Sequence, residues 1–381
     1  MIPDPELSMI RLLAVCCTIG LAAACGPTTT RNAPAGADSA AAAAPASADR
    51  PVGLPQSRAA RPDTNPPANV SHGEAPIGPA GGAPAPVPAA LPPRDPTRLH
   101  RVRLEMTHTT VTIAPGKQYA AWTFASQVPG PVLRVRQGDT VDFTLVNRAT
   151  IPHSLDFHAA EIAPDKYYRN LMPGDSIQYR FVARVPGAFM YHCGTAPVAL
   201  HIANGMYGAF IVDPPAPRPA AKEFVLVQSE FYLSPQRDPD GVYSIDWNRM
   251  LGLAPDHVVF NGRASQYAEH PLEVRPNELV RMYVVNAGPN RISSFHVVGG
   301  IFSQVFMDGS TTTPLRGIQT VNVPVGGGAI FETRLREAGE YPFVTHAFAD
   351  ATKGAVGVLR AAEPGSPRPP ASAQHRGCAR C

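Results

Sequence analysis

Cysteine is nearly absent from the body of this chain. Six occur in 381 residues, and five of them (Cys16, Cys17, Cys25, Cys378 and Cys381) lie in the first 25 or the last four positions. Only Cys193 remains in between, so the interior has no partner for an internal disulfide. A strong excess of one charge is also missing. Lys and Arg number 33 against 30 Asp and Glu, a net +3, too small to argue for nucleic acid as a partner. Long hydrophobic runs are lacking as well. The one apolar stretch near the N-terminus, residues 12–24, falls short of the roughly 20 residues a membrane-crossing helix needs.

That stretch follows Arg11 and sits where an export signal sits. It ends in Leu21-Ala22-Ala23-Ala24-Cys25, which resembles a bacterial lipobox whose cysteine is lipidated after cleavage, with leucine one place further from the cysteine than usual. Residues 1–25 are therefore expected to be a signal peptide, and the mature protein to be exported to the periplasm or cell envelope, with Cys25 as a lipid anchor on the outer membrane. Residues 26–97 are rich in Ala, Pro, Ser and Gly. Such a segment cannot bury enough apolar surface to offset its ordering entropy, and it is expected to be a disordered tether. Residues 363–381 are expected to be a disordered tail. It ends in Cys378-Ala379-Arg380-Cys381, a pair without the following histidine of a haem attachment site.

Between residues 98 and 362 the chain is a series of short alternating apolar segments broken by Gly, Pro and Asn, the pattern of an all-β sandwich or barrel. It is also duplicated. Residues 133–147, LRVRQGDTVDFTLVN, align without a gap on residues 272–286, LEVRPNELVRMYVVN. Phe157-His158 then matches Phe295-His296, and Gly187-Ala188-Phe189 matches Gly339-Glu340-Tyr341, in the same order. Two copies of one domain are expected, at 98–214 and 222–362, joined by a Pro-rich break.

An exported protein sits in an oxidising compartment, where a lone thiol is either buried or bound to something. Cys193 stands in Tyr191-His192-Cys193, and neighbours on a strand face opposite sides. The same parity separates His153 from His158 and places Asp156 with His158. Two donor sets result: Cys193, His153, His201 and Met206 in one, His158 and His192 with Asp156 in the other. A thiolate, two imidazoles and a weak thioether are the ligands of a copper electron-transfer site. The second set lacks a third imidazole, and the second domain, which has no cysteine, offers His296 and His346. Three imidazoles with an open position bind and polarise a small ligand, and the carboxylate beside them relays protons. His72, His100, His108, His257, His270 and His375 have no such company and are expected to be surface or structural.

These motifs together, over roughly residues 100–361, resemble those of the copper-containing, NO-forming nitrite reductases. Pro152-His153-Ser154-Leu155-Asp156-Phe157-His158-Ala159, Tyr191-His192-Cys193 and HIANGMYG at 201–208 match in the first domain. Ser294-Phe295-His296, His346 and Lys353-Gly354-Ala355-Val356-Gly357 match in the second. The spacing from Cys193 to His201 resembles the outer-membrane lipoprotein branch. The resemblance implies two tandem cupredoxin-like Greek-key β-sandwich domains and a homotrimer with two copper ions per subunit. Type 1 copper would sit on His153, Cys193, His201 and Met206. Type 2 copper would sit on His158 and His192 with His346 from the adjacent subunit. Asp156 and His296 would hold the protons of nitrite and a bridging water, and a small cytochrome c or cupredoxin would donate electrons. One departure stands out. Where the family runs through small residues after the second set's first histidine, residues 161–172 are bulky and charged, and are expected to narrow or recharge the approach to that copper. The competing enzyme is a two-domain multicopper oxidase acting on another small oxidant. Its copper cluster needs His-x-His pairs and a His-Cys-His string, and the chain has neither. A non-catalytic copper electron carrier would need only the thiolate set.

Overall fold

The structure, a computed structural model, describes residues 86–363 and 365, except residue 311. The export signal, Cys25, the Ala/Pro-rich stretch to residue 85, His72, His375 and the Cys378/Cys381 pair lie outside the described residues.

Val-, Ile-, Phe- and Tyr-rich segments form four sheets, as expected of side chains that pack well on a pleated surface. The first sheet runs, in spatial order, Val242–Tyr243, Lys117–Phe124, Leu99–Ala114, Thr140–Asn147, Ser176–Val182. The second runs Leu133–Arg136, Tyr207–Asp213, Gly187–His192, Asp156–Phe157. Met106, Phe124, Phe143, Phe157 and Phe210 fill the space between them. The third sheet runs His257–Phe260, Lys222–Phe231, Leu279–Gly288, Gly328–Arg334, Gln304–Met307. The fourth runs His270–Val274, Val356–Ala361, Gly339–Thr345, Ser293–Val297, Thr320–Val323. Phe224, Phe260, Phe295, Phe331 and Phe343 fill this second core. The fold is thus all-β, with two packed pairs of sheets.

The repeat is visible in single side chains. Asn147 and Asn286 are the last residues of the aligned segments, and both are fully buried. Asn147 donates through Nδ2 to the carbonyls of Ile151 and Leu171 and accepts from the amide of Ala149. Asn286 donates to the carbonyls of Arg291 and Val323 and accepts from the amide of Gly288. Each copy uses one asparagine to satisfy the backbone of the loop that follows its strand.

A third apolar layer joins the pairs. Met190, Tyr207, Ala209 and Ile211 of the second sheet pack on Val225, Val227, Tyr283, Val285 and Ile330 of the third. Strands covered on both faces lose the alternation of half-buried ones. Tyr207–Asp213 and Leu279–Gly288 are buried at every position. The layers approach closely at glycines. A Cβ on Gly328 would lie 2.1 Å from the carbonyl oxygen of Ala188. Gly328→Ala is expected to destabilise the protein by about 1–3 kcal/mol, the usual cost of overpacking. The measurement is the urea midpoint, which should fall at an unchanged slope.

Two findings depart from the sequence reading. The tether does not extend to residue 97. Val87 donates its amide to Gln266 and accepts from the Tyr267 hydroxyl; Ala90 bridges Phe224, and Arg94 pairs with Asp213. Val87, Ala89 and Leu91 alternate within the Pro-Ala run; Ala89 joins the second core and Leu91 the apolar layer between the sheet pairs. This much burial and pairing is enough to order the segment. In addition, Val242–Tyr243, within the second sequence copy, pairs with Lys117–Phe124 of the first sheet.

Candidate metal centres

Cys193 follows the strand Gly187–His192, His201 lies on the short helix Val198–Ala203, and Met206 precedes Tyr207–Asp213. The Cys193 amide donates to the carbonyl of Met206, and the Met206 amide to that of His201, which closes this loop on itself. His153 comes from another segment, held by paired backbone bonds to Leu171. Nδ1 of His153 lies 3.1 Å from Nδ1 of His201, and the Cys193 sulfur lies 3.3 Å from His201 Nδ1 and 3.9 Å from His153 Nδ1. His153, Cys193 and Met206 are fully buried and His201 is 3 % exposed.

Burial decides the charge here. It lowers His153 to about 2, helped by neighbouring His201 and His108, and His201 to about 3, helped by His108. Both rings are neutral at ordinary pH and offer lone pairs. Burial also raises the Cys193 thiol, opposed by the amide of Ser154, which donates to the sulfur. A soft donor and two neutral imidazoles converge in a buried cluster. A metal ion fits, because it would stabilise the thiolate that burial disfavours.

The second set forms across one antiparallel pairing, Asp156 opposite His192 and Phe157 opposite Tyr191. Nε2 of His158 and Nε2 of His192 lie 3.0 Å apart. His192 Nδ1 lies 2.9 Å from the Cys193 carbonyl, and His158 Nδ1 lies 3.0 Å from the Gly326 carbonyl. A carbonyl only accepts, so each Nδ1 carries the proton and each Nε2 presents a lone pair. Two lone pairs facing each other are repulsive unless a cation lies between them, so this pair also fits a metal. Burial lowers His192. The nearest Asp156 oxygen lies 3.8 Å from His192 Nε2, and its side chain is 34 % exposed. The set opens to the surface, whereas the thiolate set does not.

The structure thus brings His153, Cys193 and His201 together, and Asp156, His158 and His192 together. Residues 153–158 are not one strand, however. His153 bridges Leu171, and only Asp156–Phe157 pairs with Gly187–His192. Two different pairing partners separate the two histidines. His296 and His346 share a different place, ring centroids 5.4 Å apart, in an open depression of about 400 Å³ with Gln319, Thr320 and Asn322. His296 Nδ1 donates to the Gln319 carbonyl at 2.7 Å. Neither ring belongs to the Asp156, His158 and His192 group among the described residues.

Segment 161–172 packs inward as well as outward. It holds the short helix Pro164–Tyr167, Tyr168 donates to the Phe157 carbonyl, and Asn170 accepts from Thr195. Tyr168 is pushed up to about 12 by burial and by the charge of Asp156. Among the other histidines, His100 pairs with Asp139 at 2.8 Å, a structural role. His108 is not the merely surface or structural residue that its isolation in the sequence predicts. Its Nε2 lies 3.1 Å from Nε2 of His153. The signal was its parity: Leu104, Met106 and His108 share a strand face, and the first two are core.

Residues 105–217 match the multicopper oxidase family profile. The copper-containing nitrite reductase of Neisseria meningitidis serogroup B is 40% identical over 295 residues, 76% of this chain and 75% of that protein. Among solved structures, the copper nitrite reductase from Nitrosomonas europaea superposes with a TM-score of 0.65 at 37% identity, covering 71% of this chain and 98% of that one. The Cu-containing nitrite reductase from Thermus scotoductus SA-01 gives 0.65 at 32% identity, covering 71% and 64%. With two-domain cupredoxin architecture, two converging donor sets and relatives at this identity and coverage, the chain belongs to the copper-containing nitrite reductase family.

Proposed function

We propose that this protein reduces nitrite to nitric oxide, one nitrite, one electron and two protons giving one nitric oxide and one water. The observation that carries the reading is the single peptide bond joining the donor sets: His192 belongs to one and Cys193 to the other. With copper held at both sets, the Cys193–His192 link would offer an electron a mostly covalent path from the thiolate set to the imidazole set. The type 1 copper ligands are His153, Cys193, His201 and Met206. The type 2 ligands are His158, His192 and His346 of the partner subunit, giving two coppers per subunit in a homotrimer. When bound, copper supplies a one-electron relay at the first set and a Lewis-acid seat for a nitrite oxygen at the second.

The chain's own residues handle the protons. Asp156 faces the two converging Nε2 atoms and is open to solvent, so it passes one proton to a nitrite oxygen and is reprotonated from water. His296 shares a depression with His346, so the partner's His296 arrives with the partner's His346 and helps deliver the second proton. Its Nδ1 is engaged by Gln319, which leaves Nε2 for the exchange. Two domains at 98–214 and 222–362 with residues 87–94 packed on them, export, lipid anchoring at Cys25 and a small electron-donor protein complete the reading.

The test is to reduce the protein with an artificial donor, add nitrite without oxygen, and follow nitric oxide with reoxidation of the visible band. No nitric oxide from a sample holding two coppers per chain would overturn the substrate. The shared site is tested by mixing His346→Ala with Asp156→Asn subunits. Some activity is expected to return, because certain interfaces then combine two intact halves. A fully active isolated subunit would sink that part.

A further inference from the structure

His108 lies outside every donor set, yet it touches one. It sits on Leu99–Ala114 directly opposite Trp122 on Lys117–Phe124, and cross-strand neighbours on one face are in contact. The two rings stack, centroids 5.5 Å apart and planes 22° from parallel. Trp122 in turn meets His201 edge-on at 4.8 Å and His153 at 5.6 Å. The stack holds His108 with its Nε2 3.1 Å from Nε2 of His153.

Proton placement follows from chemistry. Nδ1 of His153 faces Cys193 and His201, so it must present a lone pair there. A neutral imidazole has one N–H, which for His153 must then be on Nε2. That N–H points at Nε2 of His108, which must accept it, leaving the proton of His108 on Nδ1. Ligating histidines commonly donate their other N–H to an acceptor that sets ring orientation and strengthens the ligating nitrogen. That acceptor is most often a carboxylate, a carbonyl or water; here it is a second histidine clamped by a tryptophan.

We propose that His108 is a positioning residue for the thiolate copper: it accepts the N–H of His153, holds that ring in place and strengthens its donation, which keeps the reduction potential of the site down. A better donor stabilises the oxidised, more highly charged ion over the reduced one. The inference rests on His153 being a copper ligand. A wild-type protein that takes up copper and shows no thiolate-to-copper band would sink that assignment, a result distinct from those below.

The experiment uses the full protein with two substitutions. His108→Phe keeps a flat ring against Trp122 and removes the acceptor. His108→Gln restores an acceptor without a charge. The readouts are the reduction potential of the visible band, its wavelength, and copper affinity. His108→Phe is expected to raise the potential, shift the band and weaken copper binding at this site by about 10–100-fold. His108→Gln is expected to lie close to wild type. Should the Phe variant fail to load copper, loading of the Gln variant supports the role of the acceptor, and failure of both overturns it. A Phe variant with wild-type potential and affinity, or Phe and Gln variants shifted equally, also overturns the proposal.

Discussion

Cys193→Ala is expected to leave the protein without its visible band, with one copper per chain in place of two, and with nitrite turnover at background. In the proposed reading the thiolate is the source of the charge-transfer colour and the covalent start of the path to His192. Removing an outer partner of a metal ligand already costs about 10–100-fold in affinity or activity. Removing the thiolate itself should cost at least on the order of 10²-fold in copper affinity at that set. The other set should still load, because His158 and His192 keep their Nδ1 bonds to the carbonyls of Gly326 and residue 193, neither of which involves the lost side chain. Absorption, copper analysis and nitric oxide detection on one sample read all three. A mutant that keeps its band would overturn the ligand assignment. The same counts separate the alternatives: a carrier should hold one copper per chain and a multicopper oxidase of the laccase kind four.

Asp156→Asn is the second large effect. The change is nearly isosteric and removes the acid while keeping the side chain's shape. Turnover should fall by about 10²–10⁴-fold, the scale of acid–base assistance. The band should not move, because Asp156 faces His192 and His158 and not the buried thiolate set. Solvent reaches this carboxylate, and the bulky segment lies close enough for Asp156 to perturb Tyr168. A shifted band would mean that the substitution disturbs the first site, and unchanged turnover would remove Asp156 from the proton path.

Parity at the end of one strand placed His192 and Cys193, the residue just past it, on opposite sides, because extended backbone imposes the alternation locally. The gap-free repeat anticipated two copies, and Asn147 and Asn286 perform the same bonding in each. The same parity rule separated His153 from His158, although the segment between them is irregular and the separation comes from two pairing partners. The ordered region begins before residue 97, against the expectation from composition, because composition averages over a window, whereas Ala89 and Leu91 need only a few contacts on a finished surface.

Cysteine scarcity, the adjacency of His192 and Cys193, the duplicated strand pattern and the missing His-x-His pairs were determined by the sequence itself. Each is a property of chain order or of geometry within a few residues. Tertiary structure alone decided which nitrogen of each histidine faces inward. The Gly326 carbonyl that orients His158 is 168 residues away in the chain. His108 reaches His153 across 45 residues, through a stack with Trp122 that exists only once two strands are in register. Hydrogen-bond partners of that kind follow from packing between sheets, and no local period in the sequence encodes them.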